Sequence, residues 1–185
     1  MKRDAGPTRE AETSSDGLAR LNALPTEEAE AALSEVCGAP GWARAVASAR
    51  PFADSHALVR AATTAWDALT DAEWIAGFAA HPRIGESRRV SGGEASEWSR
   101  DEQAGMDTAR DTTRSELAAA QRAYERRFGW TYIVCATGRT PEEMLADVRA
   151  RIANDPADEI AVAAGEERRI GHLRLEKIHG GGGER

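Results

Sequence analysis

The sequence predicts an all-α fold, a single-domain helical bundle interrupted by one short extended segment, and three observations carry that prediction. Apolar residues recur at three- and four-residue spacing along most of the chain, the pattern of a helix with one buried face. Alanine is abundant and β-branched residues are scarce except near 131–134, which favours packed helices over sheet. At 185 residues the chain is long enough to bury one core without disulfides or metals.

Residues 1–17 carry almost no large apolar side chain and are expected to form a flexible lead, with the helical domain running from Leu18 to residue 179. Thr26 is expected to cap a helix with Glu27 and Glu28 in its first turn and Ala29, Leu33, Val36 and Cys37 on its apolar face. Gly38-Ala39-Pro40-Gly41 ends it, and a short helix from Trp42 to Ala49 stops at Arg50-Pro51. Leu58, Ala61, Ala62, Ala65, Trp66 and Leu69 mark the clearest amphipathic helix. Thr70-x-x-Glu73 is a capping box opening the next helix, whose face is Trp74, Ile75 and Phe78 and which runs into His81-Pro82.

From Gly85 to Glu97 the chain is polar and aperiodic, a long loop placed at the mouth of a site. Helix signals resume at Ser99, and a long helix from about Asp107 carries Thr113, Leu117, Ala120, Tyr124 and Phe128 before Gly129. Trp130 to Cys135 reads as an isolated extended run without sister strands, its amides open to another partner. Thr140-Pro141-x-Glu143 combines an N-cap, a first-turn proline and a box glutamate ahead of Met144, Leu145, Val148 and Ile152. Asn154-Asp155-Pro156 turns the chain into a last helix bearing Ile160, Ala163, Ala164, Ile170 and Ile178, and residues 180–185 form a flexible glycine-rich tail.

The formal net charge is −7, with acidic and basic residues interspersed rather than in blocks. That argues against a nucleic-acid partner while leaving room for a few convergent arginines around a small anion. No stretch is apolar and long enough to cross a membrane, and the first seventeen residues lack an apolar leader, so the expectation is a cytoplasmic protein with no membrane partner. Cys37 and Cys135 match neither a metal pair nor a redox motif; a disulfide between them is open at this level, and buried thiols in a reducing compartment are favoured. No GxGxxG or Walker sequence occurs, and His56, His81, His172 and His179 show no metal-ligand spacing, so neither a nucleotide cofactor nor a metal is expected.

Three places can carry chemistry. His81 sits where Pro82 forces an extended exit from a helix, a common way to present a side chain to a cleft, and imidazole exchanges protons near neutrality. On these residues alone a helix-capping or core-edge role is the simpler reading of its position. Arg174 falls between Ile170 and Ile178 on the apolar stripe, where an unpaired charge would cost at least several kcal/mol, roughly, so it must meet an acid or an anionic ligand. Glu167, seven residues earlier on the same face, or a carboxylate from another helix is one kind of candidate partner, and an anionic ligand is the other. Ser99-x-x-Glu102 matches a capping box, which also fixes a carboxylate in the way a general acid or base requires, and Gln103 adds a donor and an acceptor.

Taken in order, Cys37-Gly38-x-x-x-Trp42, Arg50-Pro51-Phe52, Trp66, Trp74, His81-Pro82-Arg83-Ile84-Gly85, Ser99-x-x-Glu102-Gln103-Ala104-Gly105, Tyr124-x-x-x-Phe128-Gly129-Trp130 and Ile170-x-x-Leu173-Arg174-Leu175 closely resemble the OHCU (2-oxo-4-hydroxy-4-carboxy-5-ureidoimidazoline) decarboxylase family, over nearly the whole ordered chain. The resemblance implies an all-helical homodimer that needs no metal or organic cofactor and decarboxylates OHCU, a small anionic ureidoimidazoline, to (S)-allantoin in urate breakdown. It implies His81 as the catalytic histidine with Glu102 as its acidic partner. Pro82, Ser99, Glu102 and Gln103 would line the substrate, Arg174 would hold its charge, and Tyr132, Ile133, Val134, Cys135 and Ala136 would meet it through the backbone. Thr131 stands where many members have proline, and Arg139 is left outside the core site. The alternative function is a non-catalytic helical module that binds a small anionic ureide, or hydrolysis of a neighbouring purine-breakdown intermediate.

Overall fold

The computed structural model describes residues 9–85 and 111–179, and among these the regular elements are eight α-helices with no strand. They are α1 (Arg9–Ala23), α2 (Thr26–Val36), α3 (Pro40–Ser48), α4 (Ser55–Asp67), α5 (Asp71–Phe78), α6 (Asp111–Phe128), α7 (Pro141–Arg151) and α8 (Pro156–His179). The all-α expectation is met. None of these helices is long and apolar enough to cross a membrane.

Local signals account for several boundaries. Thr70 and Thr140 each accept a hydrogen bond from the backbone of the glutamate three residues on, and each glutamate returns one to the cap, so both predicted capping boxes form. Asp54 caps α4 by accepting from the Ala57 amide. Other boundaries differ from the sequence reading. Thr26 is the first helical residue rather than the cap, which falls on Pro25 and makes no side-chain bond. Pro40 opens α3 instead of closing α2, because proline suits the first helical turn, where an amide would have no partner. Helix α1 begins at Arg9, earlier than Leu18, since alanine, glutamate and arginine are good helix formers even without an apolar face; Leu18 and Leu21 are its buried residues.

Helix α8 packs against α1, α2, α4 and α5, and around it lies the larger core, including Leu33, Val46, Leu58, Phe78, Ala163 and Ile170. A second core fills the space between α6 and α7, with Leu117, Tyr124, Phe128, Met144 and Val148. The extended residues after Gly129 divide the two. Tyr132, Val134 and Ala136 point into the second core, while Ile133 belongs to the first and Cys135 packs against it. Alternation with period two is what an extended chain imposes, so this segment can be β-prone without joining a sheet.

Its backbone bonds are supplied by helix side chains and by the turn that follows it instead of by strands. Arg151 donates to the Ile133 carbonyl at 2.8 Å, the Cys135 amide donates to Glu166 at 2.9 Å, and the Arg139 amide donates to the Ala136 carbonyl at 3.0 Å. The Cys135 amide, expected from sequence to be open, is thus already engaged.

Small residues bring α5 to the end of α2. A Cβ on Gly38 would lie 2.1 Å from Ala80 Cβ and 3.0 Å from the Gly77 carbonyl oxygen, and Gly77 in turn faces Ala39. Gly38→Ala must therefore push the backbone carrying Ala80 and His81 outward. The expected result is a loss of roughly 1–3 kcal/mol, the usual cost of overpacking, read as a lowered melting temperature; an unchanged melting curve would contradict the close approach.

Candidate active site

His81 follows α5 through a tight turn in which the Ala80 amide bonds the Gly77 carbonyl at 3.0 Å and the His81 amide bonds the Phe78 carbonyl at 3.1 Å. Fully buried Phe78 anchors this end of the helix, and Pro82 turns the chain outward. The exit is then clamped to α6. Arg83 makes a two-pronged ion pair with Glu125, at 2.8 and 2.7 Å, and the Gln121 side-chain amide exchanges two hydrogen bonds with the Ile84 backbone, at 2.9 and 3.0 Å. Gln121 is completely buried, so its amide is committed to that clamp.

The imidazole points inward. Its side chain is only 9% exposed, and Nε2 lies 2.7 Å from Oε2 of Glu167, whose side chain has no exposed surface. Cys37, at the end of α2, and Arg174, one helical stretch beyond Glu167 on α8, complete this buried cluster. Burial, and then the Glu167 carboxylate, push the Cys37 thiol well above its ordinary value, so it remains a neutral thiol rather than a nucleophile. Arg174 is 6% exposed and donates from Nη1 to the Val36 carbonyl at 3.2 Å. The Glu167 carboxylate, one of the partners the sequence offered to Arg174, is the group that meets His81.

Two hollows adjoin the histidine. A narrow cleft is lined by His81, Pro82, Ile84, Tyr132, Ile133, Val134, Ala136 and Ile170. A wider cavity of about 350 Å³ runs from His81 and Pro82 past Arg83 and Glu125 to Trp130 and Thr131. Of the residues singled out from sequence, His81, Pro82, Tyr132, Ile133, Val134 and Ala136 thus share one cleft. Cys135 turns to the opposite side of its extended segment, and its amide is taken by Glu166. Ser99, Glu102 and Gln103 lie outside the described residues.

The cleft wall is rigid because a buried polar network stands behind it. Arg151 donates to Glu159 at 2.8 and 2.6 Å and lies over the Tyr132 and Tyr124 rings. Tyr124 donates to Glu159 at 2.5 Å, Asn154 donates to its other oxygen at 2.7 Å, and Tyr132 donates to Asp147 at 2.5 Å. Burial opposes charge on Arg151, yet the bonds to Glu159 outweigh it and hold the guanidinium charged. Both tyrosines are pushed up from their ordinary values, first by burial and then by the acceptors Glu159 and Asp147, so both stay neutral donors. No group of three or more His, Cys, Asp or Glu among the described residues could hold a metal ion.

Gln121, Glu125, Glu159 and the His81 contact of Glu167 were not identified from the sequence. Gln121 does carry a signal, a polar residue on the stripe of Leu117, Tyr124 and Phe128, of the same kind that exposed Arg174.

Comparison with known proteins adds to this geometry. The model of the OHCU decarboxylase family matches residues 22–176. The 2-oxo-4-hydroxy-4-carboxy-5-ureidoimidazoline decarboxylase of Amia calva is 34% identical over 166 residues, covering 87% of this chain and 93% of the relative. The uric acid degradation bifunctional protein TTL of Arabidopsis thaliana is 32% identical over 146 residues; the match takes in 77% of this chain and only 44% of that longer protein. A crystal structure of an OHCU decarboxylase in the presence of (S)-allantoin superposes with a TM-score of 0.70 at 28% identity, over 84% of this chain and 99% of the other.

Proposed function

Because the chain belongs to the OHCU decarboxylase family, we propose that it catalyses decarboxylation of 2-oxo-4-hydroxy-4-carboxy-5-ureidoimidazoline to (S)-allantoin, with His81 as the proton-transfer group. It is a carboxy-lyase acting on a small anionic ureide. The observation that carries the reading is the buried imidazole, held against a carboxylate at 2.7 Å and opening onto a cleft walled by Pro82 and residues of the extended segment.

The substrate's own structure makes the carbon–carbon cleavage feasible. As the carboxylate leaves C4 as CO2, the bonding pair moves toward the adjacent C5=N bond, giving an enol conjugated to the ring nitrogen. Protonation at C5, the carbon bearing the ureido group, and collapse of the C4 hydroxyl to a carbonyl then give allantoin; the net change is one CO2 lost and one proton gained. A proton delivered from one side sets the handedness of C5, and a positioned donor supplies it at an effective concentration that solvent cannot match. His81 takes that role, with Glu102 as its acidic partner. Ser99 and Gln103 meet the ureido and carbonyl groups, and Pro82 with Tyr132, Ile133, Val134 and Ala136 shapes the pocket, while Cys135 stands behind it.

Arg174 holds the substrate's negative charge. Arg174→Ala is expected to raise KM about 10- to 100-fold, the worth of one charge-assisted hydrogen bond, with a smaller effect on kcat. Loss of stability with KM unchanged would return Arg174 to a structural role.

The proposal includes a homodimer with no nucleic-acid partner, the first supported by family membership and the second by the net charge of −7. Cys37 and Cys135 are reduced thiols, which supports a reducing compartment such as the cytoplasm. The activity is tested by supplying freshly generated substrate and following enantiomer-resolved allantoin formation. Acceleration above the spontaneous background with an excess of the S form is expected. Binding without acceleration would leave a ureide-binding module, and turnover of 5-hydroxyisourate instead would assign a neighbouring hydrolysis.

A further inference from the structure

Glu167 is a carboxylate whose side chain has no exposed surface, on the face of α8 that also carries buried Ala163, Ala164 and Ile170. Neither of its oxygens, nor His81 Nε2, has an aligned hydrogen-bond partner among the described residues; the polar contacts of the carboxylate are the 2.7 Å approach of Nε2 to Oε2 and the neighbouring Cys37 thiol. A carboxylate buried in this way is costly unless a donor or cation meets it. Two atoms offering only lone pairs would repel at that distance, so a proton lies between them, on Nε2 or on the carboxyl oxygen. Cys37 contributes a neutral thiol, and Val36, whose carbonyl accepts from Arg174, is fully buried.

We propose that Glu167 is the positioning residue of the site, engaging Nε2–H of His81 so that the ring is held in one orientation and one tautomer and Nδ1 is left as the nitrogen that exchanges the catalytic proton. A carboxylate that fixes a histidine through one ring nitrogen while the other does the chemistry is a recurrent arrangement. The position of Glu167 on α8 makes it effective. The helix packs against α1, α2, α4 and α5 and is among the best-anchored elements of the fold, whereas His81 lies on a short turn after α5 and needs an external reference. This inference rests on His81 as the proton-transfer group and assigns a second carboxylate to it, distinct from Glu102.

The test compares Glu167→Gln and Glu167→Leu with the parent protein and with His81→Ala. Both Glu167 variants keep the side chain's approximate size, and Leu suits a buried site, so folding is expected and is checked by circular dichroism. Glu167→Leu should lower kcat about 10- to 100-fold, the usual cost of removing a group that orients a histidine, with KM changed less than about twofold. Glu167→Gln retains an acceptor for Nε2–H and should recover part of the loss. Nitrogen-15 NMR of the ring supplies a readout independent of turnover: the neutral His81 should carry its proton on Nε2 in the parent protein and lose that preference in Glu167→Leu. A parent ring protonated on Nδ1, or a folded Glu167→Leu with parental kcat, overturns the proposal. If His81→Ala also turns over at the parental rate, the failure belongs to the catalytic assignment of His81 instead, and the NMR result still decides the positioning contact.

Discussion

His81→Ala is expected to lower kcat by at least about 10² to 10⁴, the contribution of a well-placed general acid or base. That corresponds to about 2.7–5.5 kcal/mol of transition-state stabilisation. The loss should fall on kcat more than on KM, because the imidazole's contribution grows as the proton is transferred, while the cleft walls at Pro82, Tyr132, Ile133, Val134 and Ala136 are untouched. The substitution also strips Glu167 of its 2.7 Å neighbour, so some stability will go with it. His81→Asn separates the two effects: a side-chain amide can still donate toward Glu167 but cannot relay a proton at neutral pH. Both variants should retain helical circular dichroism, lose turnover alike, and differ in melting temperature, with Asn the more stable. Near-parental turnover by either folded protein would remove His81 from the chemistry.

The largest effect on stability is expected at Glu159. This carboxylate is fully buried and receives four hydrogen bonds, two from Arg151 and one each from Tyr124 and Asn154. Glu159→Ala leaves the Arg151 guanidinium buried with Asp147 at 3.3 Å as its only charged partner among the described residues, and leaves the Tyr124 and Asn154 donors unsatisfied. Breaking one side of such a pair costs about 3–5 kcal/mol, which lowers the melting temperature of a chain this size by roughly 6–20 °C. Activity should fall too, since Arg151 also holds the Ile133 carbonyl in the cleft wall at 2.8 Å. Glu159→Gln keeps the shape and one acceptor and should lose less. A Glu159→Ala protein less than about 1 kcal/mol below the parent would show that the network is spread over the other partners.

Much of the architecture was legible because the signals for helices are local. Both threonine capping boxes and the proline at the start of α7 follow from residues three apart. The helix ending just ahead of His81-Pro82 needs only the proline rule, and the stripe that exposed Arg174 as a buried charge needs only the helical period. The extended run at 130–135 was visible from its β-branched and aromatic residues. Its reason was not, because alternation between two cores depends on where α6, α7 and α8 lie.

What sequence could not supply was the choice among distant partners. Glu167 sits seven residues from Arg174 on one helix face, so local reasoning offered that pair; it instead meets His81, 86 positions away along the chain but brought close by the Gly38–Ala80 approach. The clamp of Gln121 on Ile84 and the pairing of Glu125 with Arg83 join elements 37 and 42 residues apart. Glu159 falls in the first turn of α8, where an acid is expected simply to favour the helix dipole, and nothing local distinguishes that from a buried four-donor acceptor.

The central claim is that one small cavity collects the imidazole before Pro82, the carboxylate of Glu102 and the guanidinium of Arg174 around a ureide. A crystal structure of the chain grown with (S)-allantoin measures this directly. The account predicts the product in the cleft beside Pro82, Tyr132, Ile133, Val134 and Ala136, within hydrogen-bond reach of His81, with Glu102 and Arg174 facing the same ligand. A product bound elsewhere, or those three side chains directed into separate regions, would contradict it.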